Sequence, residues 1–124
     1  MPVGLKISAD ITPVPGVKLA VAQAGVKYAN RDDVTLIEIA DGADVAAVFT
    51  KNKFCAAPVI VAKEHLEHGT PKYLLVNTGN ANAGTGGDGI RRAKGCCQAL
   101  AELCDVNETQ VLPFSTGVIG ETLP

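Results

Sequence analysis

The chain has 124 residues, 47% of them apolar and 19% charged, with a net charge of −2. It holds two Tyr, three Phe and no Trp, so its core must come from Val, Leu, Ile and Ala. That size and content suit one modest domain, residues 1–124. The two signs of charge are scattered, which excludes the basic stripe of a nucleic-acid binder. No apolar run reaches the ~18–20 residues of a membrane-spanning helix. Met1 to Lys6 shows no charged stretch leading into an apolar one, as a secretory leader would. The expectation is a cytoplasmic protein without nucleic-acid or membrane partners.

Residues 1–16 carry Pro2, Pro13, Pro15 and Gly16 and predict an extended arm. Val17 to Val26 is β-branched and flanked by Gly, so it reads as a strand. Tyr28 to Asp33 is a polar turn rich in Asn and Asp. Val34 to Ala40 is the clearest strand, and Asp41-Gly42 is a hairpin signal. Val45 to Thr50 is then expected to return antiparallel to it. Lys51 to Ala56 connects to Ala57–Ala62, which reads as a buried strand with Pro58 near its start. Lys63 to His68 is a short helix or turn, and Pro71 to Val76 another buried strand.

Gly87 to Asp105 is the one convincing helix. Ile90, Ala93, Cys97, Leu100, Ala101 and Cys104 share one face at helical spacing. Asp88 suits the first turn, where the helix dipole favours negative charge. Gly95 weakens the helix and would mark close packing against a strand. Gln110 to Phe114 is a last short strand. The elements predict an α/β fold with a mostly mixed or antiparallel sheet and one long helix. The chain stops just after the final turn, at Glu121 to Pro124, and on that ground is expected to be part of something longer.

The four cysteines, Cys55, Cys96, Cys97 and Cys104, form no C-x-x-C pair and read as small buried apolar residues. His65 and His68 lie three apart but lack a third ligand, so no metal is expected and both read as solvated. Lys51 and Lys53 read as surface charges.

Two stretches carry chemistry. The first is Asn77 to Gly86, ten residues with three Asn, two Thr, three Gly and no bulky side chain. Such a loop can approach a ligand or another backbone closely. Gly84 to Gly89 fits G-x-G-x-x-G, but the loop before it is too long for a dinucleotide-binding turn and Asp88 would sit beside the pyrophosphate. What remains is a packed structural loop, or a site wall formed by Asn77, Gly79, Asn80 and Asn82.

The second stretch is Ser115-Thr116-Gly117, at the end of the last strand. A hydroxyl and a backbone N–H directed at one point make an anion pocket, able to hold the oxygen of a tetrahedral acyl-transfer intermediate. The plain alternative is an ordinary turn. Ser115 lacks the G-x-S-x-G surroundings of a nucleophile elbow.

Asn77 to Gly86 and Leu112 to Gly120 resemble signature segments of the ornithine acetyltransferase family, the glutamate N-acetyltransferases of arginine biosynthesis. Similarity also runs through Ala22 to Val26 and Val48 to Pro58, and covers the chain from about Gly16 to Pro124. The resemblance implies a layered α/β sandwich of the self-processing, N-terminal-nucleophile type. It implies a precursor that cuts itself before a Thr into α and β chains. The new N-terminal Thr takes the acetyl group of N-acetylornithine and passes it to glutamate in a ping-pong cycle; some members also accept acetyl-CoA. Thr116 and Gly117 map onto the family's oxyanion pair. By the resemblance this chain is most of an α chain, without the nucleophile and without most substrate-binding residues, which lie beyond Pro124. Alone it would be inactive; its partner would be the β chain, in a heterotetramer of two of each, with no bound cofactor. A reading from a different class remains, a non-catalytic module that recognises a small ligand through Asn77 to Gly86.

Overall fold

The computed structural model describes Gly4 and residues 10–124. Its elements in chain order are β1 (Val17–Ala22), β2 (Val34–Ile39), α1 (Ala57–His68), β3 (Tyr73–Asn80), α2 (Gly86–Cys104), a 3-10 turn (Glu108–Gln110) and β4 (Val111–Val118). The strands form one sheet in the order β1-β2-β3-β4. β1 and β3 pair antiparallel with β2, whereas β3 and β4 run parallel. A parallel pair needs a long crossover, and α2 supplies it. The fold is thus α/β with a mixed sheet, as expected. Of the proline-rich arm, residues 1–3 and 5–9 lie outside the described residues, and 10–14 carry no helix or strand.

The core lies between one face of the sheet and the helices. Val61 of α1, Ala93, Cys97 and Ala101 of α2, Tyr73 of β3 and Val111 of β4 are buried together. Leu36, Leu75, Ile90, Leu100 and Cys104 pack against them, so the stripe read along α2 is the buried one. Burial pushes the Cys97 thiol pKa up to about 12. Cys96, one helix position away from the core face, is exposed, and Cys55 and Cys104 are half-buried, so the expectation of four buried cysteines holds in full only for Cys97. Leu19 and Val21 of β1 are exposed, leaving part of the sheet uncovered.

Three other expectations fail for identifiable reasons. Asp41-Gly42 does turn the chain, with Gly42 at φ +80 and Ala43 N–H donating to the Ala40 carbonyl at 3.3 Å. Val45 to Thr50 nevertheless forms no strand, because both edges of β2 are already taken by β1 and β3. Ala57–Ala62 is not a strand but the first half of α1. Pro58 sits in the first helical turn, where an N–H has no partner to lose. Pro58, Val61, Ala62 and His65 are buried at helical spacing, which the β-branched Val59-Ile60-Val61 run masks. Finally, a Cβ on Gly95 would meet nothing within 4 Å. The close-packed glycine of α2 is Gly89, whose Cβ would strike the Thr85 hydroxyl and come within 2.6 Å of Asn82 Oδ1.

Candidate active site

β4 begins buried and ends exposed. Val111, Leu112 and Pro113 are buried, Ser115 is half-buried, and Thr116, Gly117 and Val118 are exposed. The expected Ser-Thr-Gly turn is therefore the outer end of a strand that runs on to Val118. His65 fixes the inner end: it is 2% exposed, and its Nδ1–H donates to the Val111 carbonyl at 2.8 Å. The expected solvated histidine is thus only His68, which donates to the Glu64 carbonyl of its own helix at 2.7 Å.

The phase of the β3–β4 ladder decides where the Gly117 amide points. Lys72 N–H donates to the Gln110 carbonyl and Ala81 N–H to the Val118 carbonyl, both at 2.8 Å. Gln110, just before β4, and Val118, at its end, therefore both face β3, and so do the even-numbered residues between them. In a parallel ladder the alternate residues turn their N–H and C=O away from that neighbour. Pro113, Ser115 and Gly117 share this outward phase. A proline with no N–H to give costs nothing there. Further along, the same alternation leaves the Gly117 N–H off the ladder at the free edge of the sheet, directly after the exposed Thr116.

Gly117 lies opposite Gly79, and Thr116 opposite Thr78. Both glycines have positive φ, +129 for Gly117 and +126 for Gly79. A Cβ on Gly117 would run into the Gly79 carbonyl, and one on Gly79 would lie 3.0 Å from Lys27 Cβ. Each position needs glycine for space as well as conformation.

The Asn residues of the loop work inside the structure. Asn77 Oδ1 accepts from the Ser115 hydroxyl at 2.5 Å, and Asn77 Nδ2 donates to the Asn80 carbonyl at 3.2 Å. Asn80 Nδ2 donates to the Thr122 carbonyl at 2.8 Å, while its Oδ1 is buried without a partner. Asn82 is fully buried at φ +49; it donates to the Gly89 carbonyl at 2.9 Å and accepts from the Thr85 hydroxyl at 2.8 Å. Asn77, Gly79 and Asn80 thus lie along the Thr116–Gly117 strand, whereas Asn82 braces the start of α2. Ser115 is committed to Asn77.

The chain after Gly117 is seated on the same loop. Gly120 N–H donates to the Ala83 carbonyl at 2.7 Å, and Arg92 Nη1 to the Leu123 carbonyl at 2.6 Å. Lys27 pairs with Glu121. Arg92 is itself held by Asp88, at 2.7 Å, and Arg91 pairs with the same carboxylate. The hydrogen bond from Arg92, with the charge of both arginines, holds the Asp88 carboxyl below its usual range.

Asp33 carries no sequence signal of its own, being one acid among several in a turn. Its carboxylate is buried and accepts the N–H groups of Ala24 at 2.7 Å and Val26 at 2.6 Å. The Ala24 bond, with others from the same loop, holds its carboxyl below the usual range against the opposing effect of burial. Its carbonyl accepts Thr78 N–H at 2.9 Å, so Asp33 sets the loop that presses on Gly79. Beside β4 is an apolar cavity of about 270 Å³, bordered by Val48, Phe49, Pro58, Leu112, Phe114 and Ser115.

An exposed hydroxyl next to a freed amide, on a strand braced by glycine contacts and asparagine bonds, is an arrangement suited to acyl transfer. The ArgJ family pattern matches residues 18–124, and the chain belongs to the ArgJ family. It is 59% identical over 113 residues to the arginine biosynthesis bifunctional protein ArgJ of Psychrobacter arcticus, covering 91% of this chain and 28% of that protein. Over 124 residues it is 54% identical to the protein of the same name from Pseudomonas syringae pv. tomato, covering all of this chain and 30% of that protein. Among crystal structures it resembles the bifunctional protein ArgJ of Bacillus halodurans, with a TM-score of 0.82 and 39% identity over 89% of this chain and 58% of that one. It also resembles the ornithine acetyltransferase of Mycobacterium tuberculosis in complex with ornithine, with a TM-score of 0.81 and 33% identity over 89% of this chain and 60% of that one. The chain therefore spans under a third of the length of these curated relatives. Among the described residues no helix is long and apolar enough to cross a membrane.

Proposed function

We propose that these residues are most of the α chain of a self-cleaving acetyltransferase precursor, and that they supply its oxyanion hole. In this reading the precursor cuts itself before a Thr outside this chain. The N-terminal amine of the β chain takes the proton of that Thr hydroxyl, which attacks the acetyl carbonyl of N-acetylornithine. Thr116 O–H and Gly117 N–H donate to the oxygen as it becomes negative. Collapse breaks the amide bond, ornithine leaves with a proton, and the acetyl group stays on Thr as an ester. The amine of glutamate then attacks the ester through the same oxyanion, releasing N-acetylglutamate and the Thr hydroxyl.

The observation that carries the reading is the freed Gly117 amide beside the exposed Thr116 hydroxyl. Family membership supports the chemistry, and the relatives' description as bifunctional fits acetyl-CoA as a second donor. The chain covers about twice the share of the solved chains that it covers of the curated relatives, which fits a precursor divided into pieces and a β-chain partner. The ligand-recognition reading loses support because the side chains of Asn77 and Asn82 are engaged within the chain and Asn80 is buried with its Nδ2 on the Thr122 carbonyl.

The test is Thr116→Ala in the full precursor. Loss of one oxyanion donor should lower the acetyl-transfer kcat by about 10²–10³. Thermal unfolding should barely change, because the side chain is exposed. Unchanged transfer would remove Thr116 from the mechanism.

A further inference from the structure

We infer that Asn77 and Ser115 are positioning residues for acyl transfer, acting by fixing the peptide between Thr116 and Gly117. The inference rests on the oxyanion role of that pair. An oxyanion hole works only if its donors are held before charge develops. Here packing does not hold them, and the ladder to β3 engages Thr116 but not the Gly117 amide. Thr116 and Gly117 are exposed, and Gly117 stands at a φ of +129, where a glycine turns readily. The edge-strand phase leaves the Gly117 N–H without a ladder partner. The 116–117 peptide is held toward β3 only through its Thr116 carbonyl, so its tilt also depends on the anchors on either side.

On the far side the anchor is Ala81 N–H on the Val118 carbonyl. On the near side it is the Ser115 hydroxyl on Asn77 Oδ1, at 2.5 Å across the parallel pair. Asn77 is itself braced, because its Nδ2 holds the Asn80 carbonyl. One side chain thus ties both ends of the Asn77–Asn80 segment to the strand beside the pair. Side chains alternate along a strand, so Ser115 and Thr116 project to opposite faces. Ser115 therefore acts from the far face and need not touch substrate.

The experiment measures kcat and KM for N-acetylornithine on the processed enzyme made from the full precursor. Ser115→Ala should lower kcat by about 10- to 100-fold, the scale of a small misplacement of catalytic groups, and leave KM within about twofold. Ser115→Thr keeps the hydroxyl and should restore most of the rate. Asn77→Ala removes the same bond from the other strand and should reproduce the loss. Combined with Thr116→Ala, Ser115→Ala should cost less than the product of the separate losses, because both act on one hole. Wild-type kcat in Ser115→Ala, or losses that multiply in full, would overturn the inference while leaving the oxyanion reading standing. A silent Thr116→Ala would overturn both.

Discussion

The two ends of β4 are one strand built for opposite purposes. Over Val111 to Pro113 every residue is buried, and the inner end is tied to α1 by the His65 ring. Over Thr116 to Val118 every residue is exposed, and the sequence turns to small and hydroxyl groups. The inner end draws its rigidity from packing. The outer end lacks that resource and draws it from backbone contact at Gly79 and Gly117 and from asparagine bonds. Under the proposed oxyanion role, the donors at the exposed strand end stay accessible while the buried end fixes the strand beneath them.

The largest stability effect should come from breaking the inner end. His65→Ala removes a buried ring and leaves the Val111 carbonyl without its donor. A loss of about 3 kcal/mol in urea unfolding is expected. His65→Gln retains a donor and should lose less. If the buried end anchors the exposed one, His65→Ala should also reduce acetyl transfer. Full activity with reduced stability would mean that the two ends are mechanically independent.

The same contrast explains which parts of the fold are legible in the amino-acid sequence. The inner end and α2 are legible because burial leaves a periodic trace, and Ala93, Cys97 and Ala101 recur at helical spacing. α1 is not, because Val59-Ile60-Val61 is β-branched; local propensity points one way and the tertiary burial of Val61 and His65 decides the other. Val45 to Thr50 has strand composition, but pairing depends on which edges are vacant, and a local window cannot show that. At the outer end, Thr116 and Gly117 stand out as residue types. The bond that steadies them spans 38 residues in sequence from Ser115 to Asn77, and no spacing rule predicts such a pair.

A smaller effect tests the loop beneath the outer end. The folded Asp33 carboxyl lies below its ordinary value of 3.8, so the unfolded chain binds its proton first as the pH falls. Its contribution is complete well above pH 3.8 and is lost as the pH drops through the lower folded value. Asp33→Asn accepts the Ala24 and Val26 amides less well and should unfold more readily at neutral pH. The difference from wild type should shrink in acid unfolding below pH 3.8. A constant difference across that range would mean that the carboxylate charge contributes nothing.

The smallest expected effect belongs to neither end. Gly95 is exposed in the middle of α2, and a Cβ there would meet nothing within 4 Å. Alanine lowers the conformational freedom that the helix must give up, so Gly95→Ala should raise stability by about 1 kcal/mol. The gain should appear in urea unfolding with acetyl transfer unchanged, since a Cβ at Gly95 touches no other part of the molecule. A change in rate would show that motion along the whole of α2 reaches Thr116 and Gly117, and the division between a packed end and a working end would then extend beyond β4.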